Sequence, residues 1–512
     1  MPNKSVANSL PQETKSRNLI IGLLSVLFAF VTLASWGISS PLGSSPDDTF
    51  HLASVWCGDG VRDGICEQTD KPEVLSIPTQ VYESANCFAY QPESSAGCQH
   101  LETNTTGAHR SDIFDFNNSD HLYPPVFYAV TSSLVDPNPV ASIWRIRLVN
   151  SAIAVGLFGL LFLLLPRKIR QLPIWAFTAT AVPLTLFIIP SNNPSSWAVT
   201  GAGLLLFSLI GYYKSEGRRR WALAAMSVIS TVLMAGARAD AAIYVGITLV
   251  ASLILVAKKS DLALRRLWLP IFITLIAIGF FFTANQVGLA AGGLDGGADL
   301  SLSKPQLLFL NILMMPLLWL GIFGTTGLGW LDTQMPVAAW VSSAAGFVLL
   351  VIFGLNRLTK RTWIAGLLVL AALWAIPTYI LFKSHALVGA LVQPRYMLPL
   401  IIVLTGIAVY RVAGKKVNKI SRSLILVALV LLALANALSL HRNLKRYVSG
   451  IDVTGWNLDA NPEWWWQIPL SPMTVWIIGS LSFAAFLAIL YKTDPQTGFG
   501  ISMKKSSHEN KE

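Results

Sequence analysis

Apolar runs, most of them sixteen to twenty residues long, recur along the whole chain and are broken by short polar segments. A helix of about 20 residues spans the hydrocarbon layer of a bilayer. Thirteen such stretches can be marked: 19–36, 146–165, 172–189, 197–213, 221–235, 241–257, 267–282, 306–323, 336–355, 363–382, 397–410, 424–440 and 473–491. The pattern predicts an all-α polytopic membrane protein.

The polar breaks fall into two kinds. Short ones are basic: Arg167-Lys168-Ile169-Arg170, Lys214 to Arg220, Lys258-Lys259 with Arg265-Arg266, Arg357-Lys360-Arg361, and Lys415-Lys416-Lys419-Arg422. Basic loops of this length stay on the cytoplasmic side. The breaks between them carry few charges: Pro190 to Pro194, Arg238-Ala239-Asp240, and the glycine-rich loop 292–297. Strict alternation fails at 306–323. If that stretch crosses, every later basic cluster lands outside. The charge rule therefore predicts a re-entrant or surface-lying segment there, and Pro305, Pro316, Gly321, Gly324, Gly327 and Gly329 predict a broken helix. The expected architecture is about twelve crossings plus this segment.

The chain divides accordingly. Residues 1–18 form a cytoplasmic segment with Lys4, Lys15 and Arg17. Residues 19–39 form an uncleaved first helix, because no small-residue cleavage site closely follows the run. Residues 40–145 are a long outer loop, 146–491 the multipass domain, and 492–512 a polar cytoplasmic tail.

Composition agrees. Of 512 residues, 53% are hydrophobic and 13% charged, with a mean hydropathy of +0.55. A soluble domain carries roughly twice that charged fraction. The net charge of +11 does not point to nucleic acid, because the Lys and Arg sit in the short loops. All four cysteines, Cys57, Cys66, Cys87 and Cys98, lie in the long loop, as two disulfides in an oxidising compartment would. Three connectivities are open, and local pairing is the simplest. A zinc site is the rival, but the spacings are wide for metal knuckles.

Polar groups with chemical capacity gather on the expected outer side. Asp47-Asp48-Thr49-Phe50-His51 follows the first span, and on a helix either Asp shares a face with His51. His121, Tyr123 and Tyr128 precede the second span. Arg238 with Asp240, Asp332, and Gln393-Pro394-Arg395-Tyr396 lie at span ends. A carboxylate can take the proton from an attacking hydroxyl. An arginine fork can hold phosphate oxygens as charge develops. Each group also has a structural reading. Ser45-Pro46-Asp47-Asp48 is a good helix start, with Ser as N-cap and the last Asp reaching back. Arg238 and Asp240 make a simple ion pair. Arg395 serves as a snorkelling anchor, and the two histidines cap or pack. Trp464-Trp465-Trp466 is an interfacial belt before it is a sugar platform. Asp59-Gly60 and Asp63-Gly64 lack the full ligand set of a calcium loop. Asn104-Thr105-Thr106 and Asn117-Asn118-Ser119 match a glycosylation sequon that is common by chance.

Four short motifs, Pro46-Asp47-Asp48-Thr49-Phe50-His51, Tyr123-Pro124-Pro125-Val126-Phe127-Tyr128, Gly329-Trp330-Leu331-Asp332-Thr333 and Gln393-Pro394-Arg395-Tyr396-Met397-Leu398-Pro399, resemble a bacterial family of multipass membrane proteins catalogued as a domain of unknown function. That family looks related to the GT-C glycosyltransferases, which use polyprenyl-phosphate sugars. The resemblance implies a GT-C-like bundle, and a catalytic Asp in the first outer loop where Asp47 and Asp48 stand. Relatives often carry Asp-Glu there, and either carboxylate accepts a proton. Some GT-C enzymes hold a divalent metal with such acids and others do not, so the metal is open.

The expected activity is transfer of a sugar from a polyprenyl-phosphate donor to a cell-envelope glycan or glycolipid, on the outer face of a bacterial cytoplasmic membrane. Asp48 or Asp47 would be the base, and Arg238 and Arg395 the phosphate holders. His51, His121, Tyr123, Asp240, Asp332 and Tyr396 would line the substrate pocket. The rivals are a transporter or flippase, which predicts charges deep inside spans, and a non-catalytic scaffold in envelope assembly.

Overall fold

A computed structural model describes residues 12–99, 110–114, 117–258, 264–285, 302–355, 359–410 and 419–493. The sequon at Asn104, the glycine-rich loop 292–297, Arg357, Lys415-Lys416 and the tail beyond 493 lie outside the described residues.

Nine helices among the described residues are long and apolar enough to cross a membrane. The first is α1 (Gln12–Ile38). The long loop then carries α2 (Asp48–Trp56), strands β1 (Glu67–Gln68), β2 (Val74–Pro78) and β3 (Arg110–Phe114), and two short helices, α3 (Thr79–Tyr82) and α4 (Val126–Ser132). The strands pair antiparallel in the order β1-β2-β3, with Glu67 opposite Ser76 and Leu75 opposite Ile113. The molecule is therefore mostly helical rather than all-α. Val74, Ile77 and Ile113 are buried, the half-buried pattern that favours a small sheet. The disulfides are Cys57–Cys66 and Cys87–Cys98, the local pairing.

The bundle follows as α5 (Pro139–Leu164), α6 (Leu172–Ala179), α7 (Pro183–Ile188), α8 (Ser195–Lys214), α9 (Gly217–Ala235), α10 (Ala239–Val256) and α11 (Leu264–Phe282). It continues with α12 (Lys304–Leu320), α13 (Val337–Leu355), α14 (Lys360–Lys383), α15 (Pro394–Ala408), α16 (Lys419–Val448) and α17 (Pro472–Thr493). The hub is α8, buried along its whole length except Lys214. Gly201 lets α9 approach it, since a Cβ there would lie 2.7 Å from the Ser230 carbonyl. Hydrophobic burial cannot drive helices together in lipid, so such close backbone packing carries more of the association.

Two expectations need correction. The stretch 172–189 is not one span. Pro183 forces the preceding Val182 into an extended conformation (ψ 166°), and the chain breaks into α6 and α7. The stretch 306–323 is not broken inside. α12 runs unbroken through Pro316 and tightens into a 3-10 turn, Gly321–Phe323, only at its glycine end. Its length and composition qualify it to span. At one end of the bundle, Arg361 donates to the Ala257 carbonyl at 2.8 Å, joining two of the basic segments. At the other end, the Asn285 amide donates to the His121 carbonyl at 2.8 Å. There too the Trp330 indole donates to the Gly43 carbonyl at 2.8 Å. Residues 285 and 330 thus share the end of the bundle that carries the long loop.

The three tryptophans are not a belt. Trp464 and Trp466 are buried, with ring centroids 5.2 Å apart. They form a second small core with Phe88, Trp330 and Tyr447.

Candidate functional site

Four helices begin at one place on the loop-bearing end: α2, α8, α10 and α15. The N-terminus of a helix presents free N–H groups and a positive dipole end. Four converging on one spot make it hospitable to anions.

The expected Ser45 cap is displaced. α2 starts at Asp48, and its N-cap is Asp47, a non-glycine residue in the left-handed region (φ 58°) that makes no side-chain cap. Asp tolerates that conformation better than most residues, but it is uncommon. The twist sends the two neighbouring carboxylates to different places. The Asp48 side chain is wholly buried and reaches back to accept from the Ser45 amide at 2.9 Å, the reach-back half of a capping box. Burial raises its pKa to about 7, against the pull of Arg147. The Asp47 carboxylate is 42% exposed and accepts from the Arg395 guanidinium. Burial alone would push Asp47 up, but Arg395, His51 and Arg238 together outweigh it and hold the carboxyl below its usual range.

Arg395 is only 2% exposed. It also donates to the Gln393 side-chain oxygen and, at 3.0 Å, to the Tyr396 hydroxyl. Its buried Nε has no partner among the described residues. Arg238, at the head of α10, grips Asp240 with two bonds of 2.9 Å and reaches the Ser195 hydroxyl at 3.4 Å. Both guanidiniums lie over the Tyr396 ring, Arg238 at 4.3 Å and Arg395 at 4.8 Å from its centroid. Two cations sharing one ring face a concentrated positive field, partly met by the ring's π-electrons.

His51 forms a wall. Its Nδ1 pairs with the Tyr128 hydroxyl at 2.8 Å, and its ring meets Tyr123 edge-on at 5.3 Å. Burial pushes its pKa down to about 3, helped by Arg395 and Arg238. It is a neutral side chain there. Tyr123 is fixed by Asn118, which bonds both its amide and its carbonyl.

Two expected residues stand apart. The His121 side chain is exposed and enters none of these bonds, while its backbone carbonyl takes the Asn285 amide. Asp332 is 4% exposed and spent on a buried pair with Arg446, at 2.9 Å. It reaches the site indirectly, as the turn it closes packs on residues 43–44. There Gly329 (φ 59°) leaves no room for a Cβ, which would meet the Ser44 carbonyl at 3.0 Å.

Two residues of the site were not singled out in the sequence. Asn193 donates to the Pro46 carbonyl at 2.8 Å and accepts from the Ser195 amide, so the uncharged turn 190–194 is a buried floor. Arg147, on α5, donates to the carbonyls of Gly37, Ser40 and Pro41 and to the Ser44 hydroxyl. An arginine this close to an apolar run is a signal in itself. Asn192-Asn193-Pro194 closing an apolar stretch is a fainter one.

Among the described residues, no group of three or more His, Cys, Asp or Glu side chains gathers closely enough to hold a metal ion. Asp47 faces Arg395 and Asp48 faces the Ser45 amide, so the pair offers no joint carboxylate seat.

A family model described as "Predicted membrane protein (DUF2142)" matches residues 30–405. No curated protein and no solved structure matches the chain.

Proposed function

The chain belongs to this family of predicted membrane proteins, and from that premise we propose that it is a membrane glycosyltransferase. The donor is a polyprenyl-phosphate sugar, and the acceptor is a cell-envelope glycan or glycolipid on the outer face. The observation that carries this reading is the Asp47–Arg395 contact, with Arg238 stacked on the same tyrosine. A solvent-reachable carboxylate stands directly beside two buried guanidiniums at the convergence of four helix N-termini.

The chemistry then follows. The donor phosphate takes the Arg395 fork, and Arg238 adds field from across Tyr396. Asp47, relieved of its partner, becomes a stronger base. It accepts the proton of the acceptor hydroxyl as that oxygen bonds to the anomeric carbon. The bond from the anomeric carbon to the phosphate oxygen breaks, and its electron pair leaves on the polyprenyl phosphate, stabilised by the arginines. Asp48 is not the base in this reading. It locks the turn that aims Asp47.

Transport would need charged groups along a path through the bundle. Arg147, a buried charge on α5, is consumed by oxygens of residues 37–44, and Arg446, a buried charge on α16, by Asp332 and two carbonyls, which argues against that use.

The test is a transfer assay on purified protein in lipid, with a panel of radiolabelled polyprenyl-phosphate sugars, envelope extract, and Asp47→Asn alongside. Label moving to acceptor with wild type and not with the variant is the expected result. Equal transfer by both removes Asp47 as base, and no transfer from any donor by folded wild type overturns the reading.

A further inference from the structure

The Cys87–Cys98 loop is pinned at nearly every point but one. Arg446, wholly buried, donates to the Phe88 carbonyl at 2.6 Å, to the Ser94 carbonyl at 2.5 Å and to Asp332 at 2.9 Å. The Ile451 amide bonds the Pro92 carbonyl. The Tyr90 amide donates to the Asp332 carboxylate at 3.2 Å. The disulfide closes the loop.

From this clamped frame one ring projects. Tyr90 is 70% exposed, in the left-handed region at φ 62°, and its hydroxyl makes no hydrogen bond among the described residues. Its ring meets Trp330 in a T-shaped contact, centroids 5.4 Å apart. Trp330 in turn holds the Gly43 carbonyl, four residues before Asp47. Asp47, Asp332 and Arg395 all act on the Tyr90 hydroxyl, after the larger effect of its partial burial. A tyrosine kept for packing would be covered and its hydroxyl partnered. Here a backbone conformation that L residues avoid and a buried ion pair serve to hold an aromatic face in water beside Asp47.

We propose that Tyr90, braced by Trp330, is the stacking platform for a pyranose ring of the acceptor glycan. This rests on the transferase reading for the identity of the ligand. The chemistry of the site selects a sugar. The axial C–H face of a pyranose is apolar and weakly positive, matching the ring's negative face. Its hydroxyls would meet Asp47 on the adjoining side. The acceptor rather than the donor belongs here, because the donor's phosphate seat is buried behind Asp47 whereas Tyr90 stands on the solvent side. A rigid aromatic loses little conformational entropy on contact.

The experiment uses saturation-transfer NMR on the full chain in lipid nanodiscs, with a panel of methyl hexopyranosides as probes. Wild type, Tyr90→Phe and Tyr90→Trp are expected to transfer saturation to the C–H protons of one sugar face. Tyr90→Ala is expected to bind about tenfold more weakly, with an unchanged melting temperature because the ring packs on one neighbour only. Undiminished binding by Tyr90→Ala overturns the proposal. Equal loss in Tyr90→Phe assigns the contact to the hydroxyl and overturns it too, as does the absence of any Tyr90-dependent signal across the panel. Tyr90-dependent sugar binding with no transfer from any donor would sink the transferase and leave the platform standing.

Discussion

Asp47 and Arg395 stand 348 positions apart and form an ion pair in which the arginine is buried and the carboxylate reaches solvent. The carboxylate occupies the side of the fork that a phosphate oxygen would need. Removing it should therefore help an anion to bind. Asp47→Asn is expected to bind a long-chain polyprenyl phosphate several-fold more tightly than wild type, and Arg395→Met not at all. Wild-type affinity should rise as pH falls through the Asp47 pKa, which lies below the ordinary carboxylate range. Titration of nanodiscs with the lipid phosphate, without sugar, reads this directly. Asp47→Asn binding no more tightly than wild type would sink it.

Asp48 and His51 pull stability in opposite directions across the same pH range. Asp48 titrates near 7 in the fold against 3.8 ordinarily. Its contribution is full below about pH 4 and is lost as pH rises toward 7. His51 titrates near 3 against 6.5. Its contribution is full above 6.5 and is lost as pH falls toward 3. Between about pH 4 and 6.5 the two slopes, each about 1.4 kcal/mol per pH unit, largely cancel. His51→Gln should expose a stability that falls with rising pH, and Asp48→Asn one that rises. Melting temperatures at four pH values suffice. Identical slopes in wild type and both variants would refute the opposition.

Class was legible in the sequence because it depends on a quantity that adds along the chain, apolar length. The Asp pair was legible as a place, but not as two roles. Periodicity assumes helical backbone, and the left-handed Asp47 (φ 58°) is where that assumption ends. Arg446 and Tyr90 were silent because their meaning lies in contacts with Asp332 over more than a hundred residues. The tryptophan run misled because an aromatic belt and an aromatic core have the same composition. Only packing against Phe88 and Tyr447 separates them.

The Arg446–Asp332 pair is a second place where removal of one partner should cost more than removal of both. Both side chains are almost wholly buried, and Arg446 also binds two carbonyls. Asp332→Ala leaves a buried cation and should destabilise by about 3–5 kcal/mol, while Asp332→Leu with Arg446→Met should lose less. The single variant should also release the 87–98 loop to protease under conditions where wild type resists. Thermal melts and limited proteolysis of all three variants test it. Equal losses in single and double variants would show that the pair carries no coupled charge.

Arg147 should behave differently, because its partners are mostly neutral. Its guanidinium ties the carbonyls of Gly37, Ser40 and Pro41 and the Ser44 hydroxyl into the turn that leads to Asp47. Arg147→Met strands those acceptors in a dry site, at about 1–3 kcal/mol for each one left unmet. It also removes the cation that draws the Asp48 pKa down. Asp48 should then stay protonated to a higher pH, and the window over which its stability is lost, which opens near pH 4, should extend past 7. Arg147→Lys keeps the charge but not the fork. It should preserve the position of that transition while losing part of the stability. The two variants therefore separate geometry from charge: melting temperature against pH should show a decline that continues past pH 7 in Arg147→Met and an unshifted, lowered curve in Arg147→Lys. An upper end that moves in neither variant would mean that Arg147 does not act on Asp48, and one that moves equally in both would mean that the fork's geometry rather than its charge sets the Asp48 pKa.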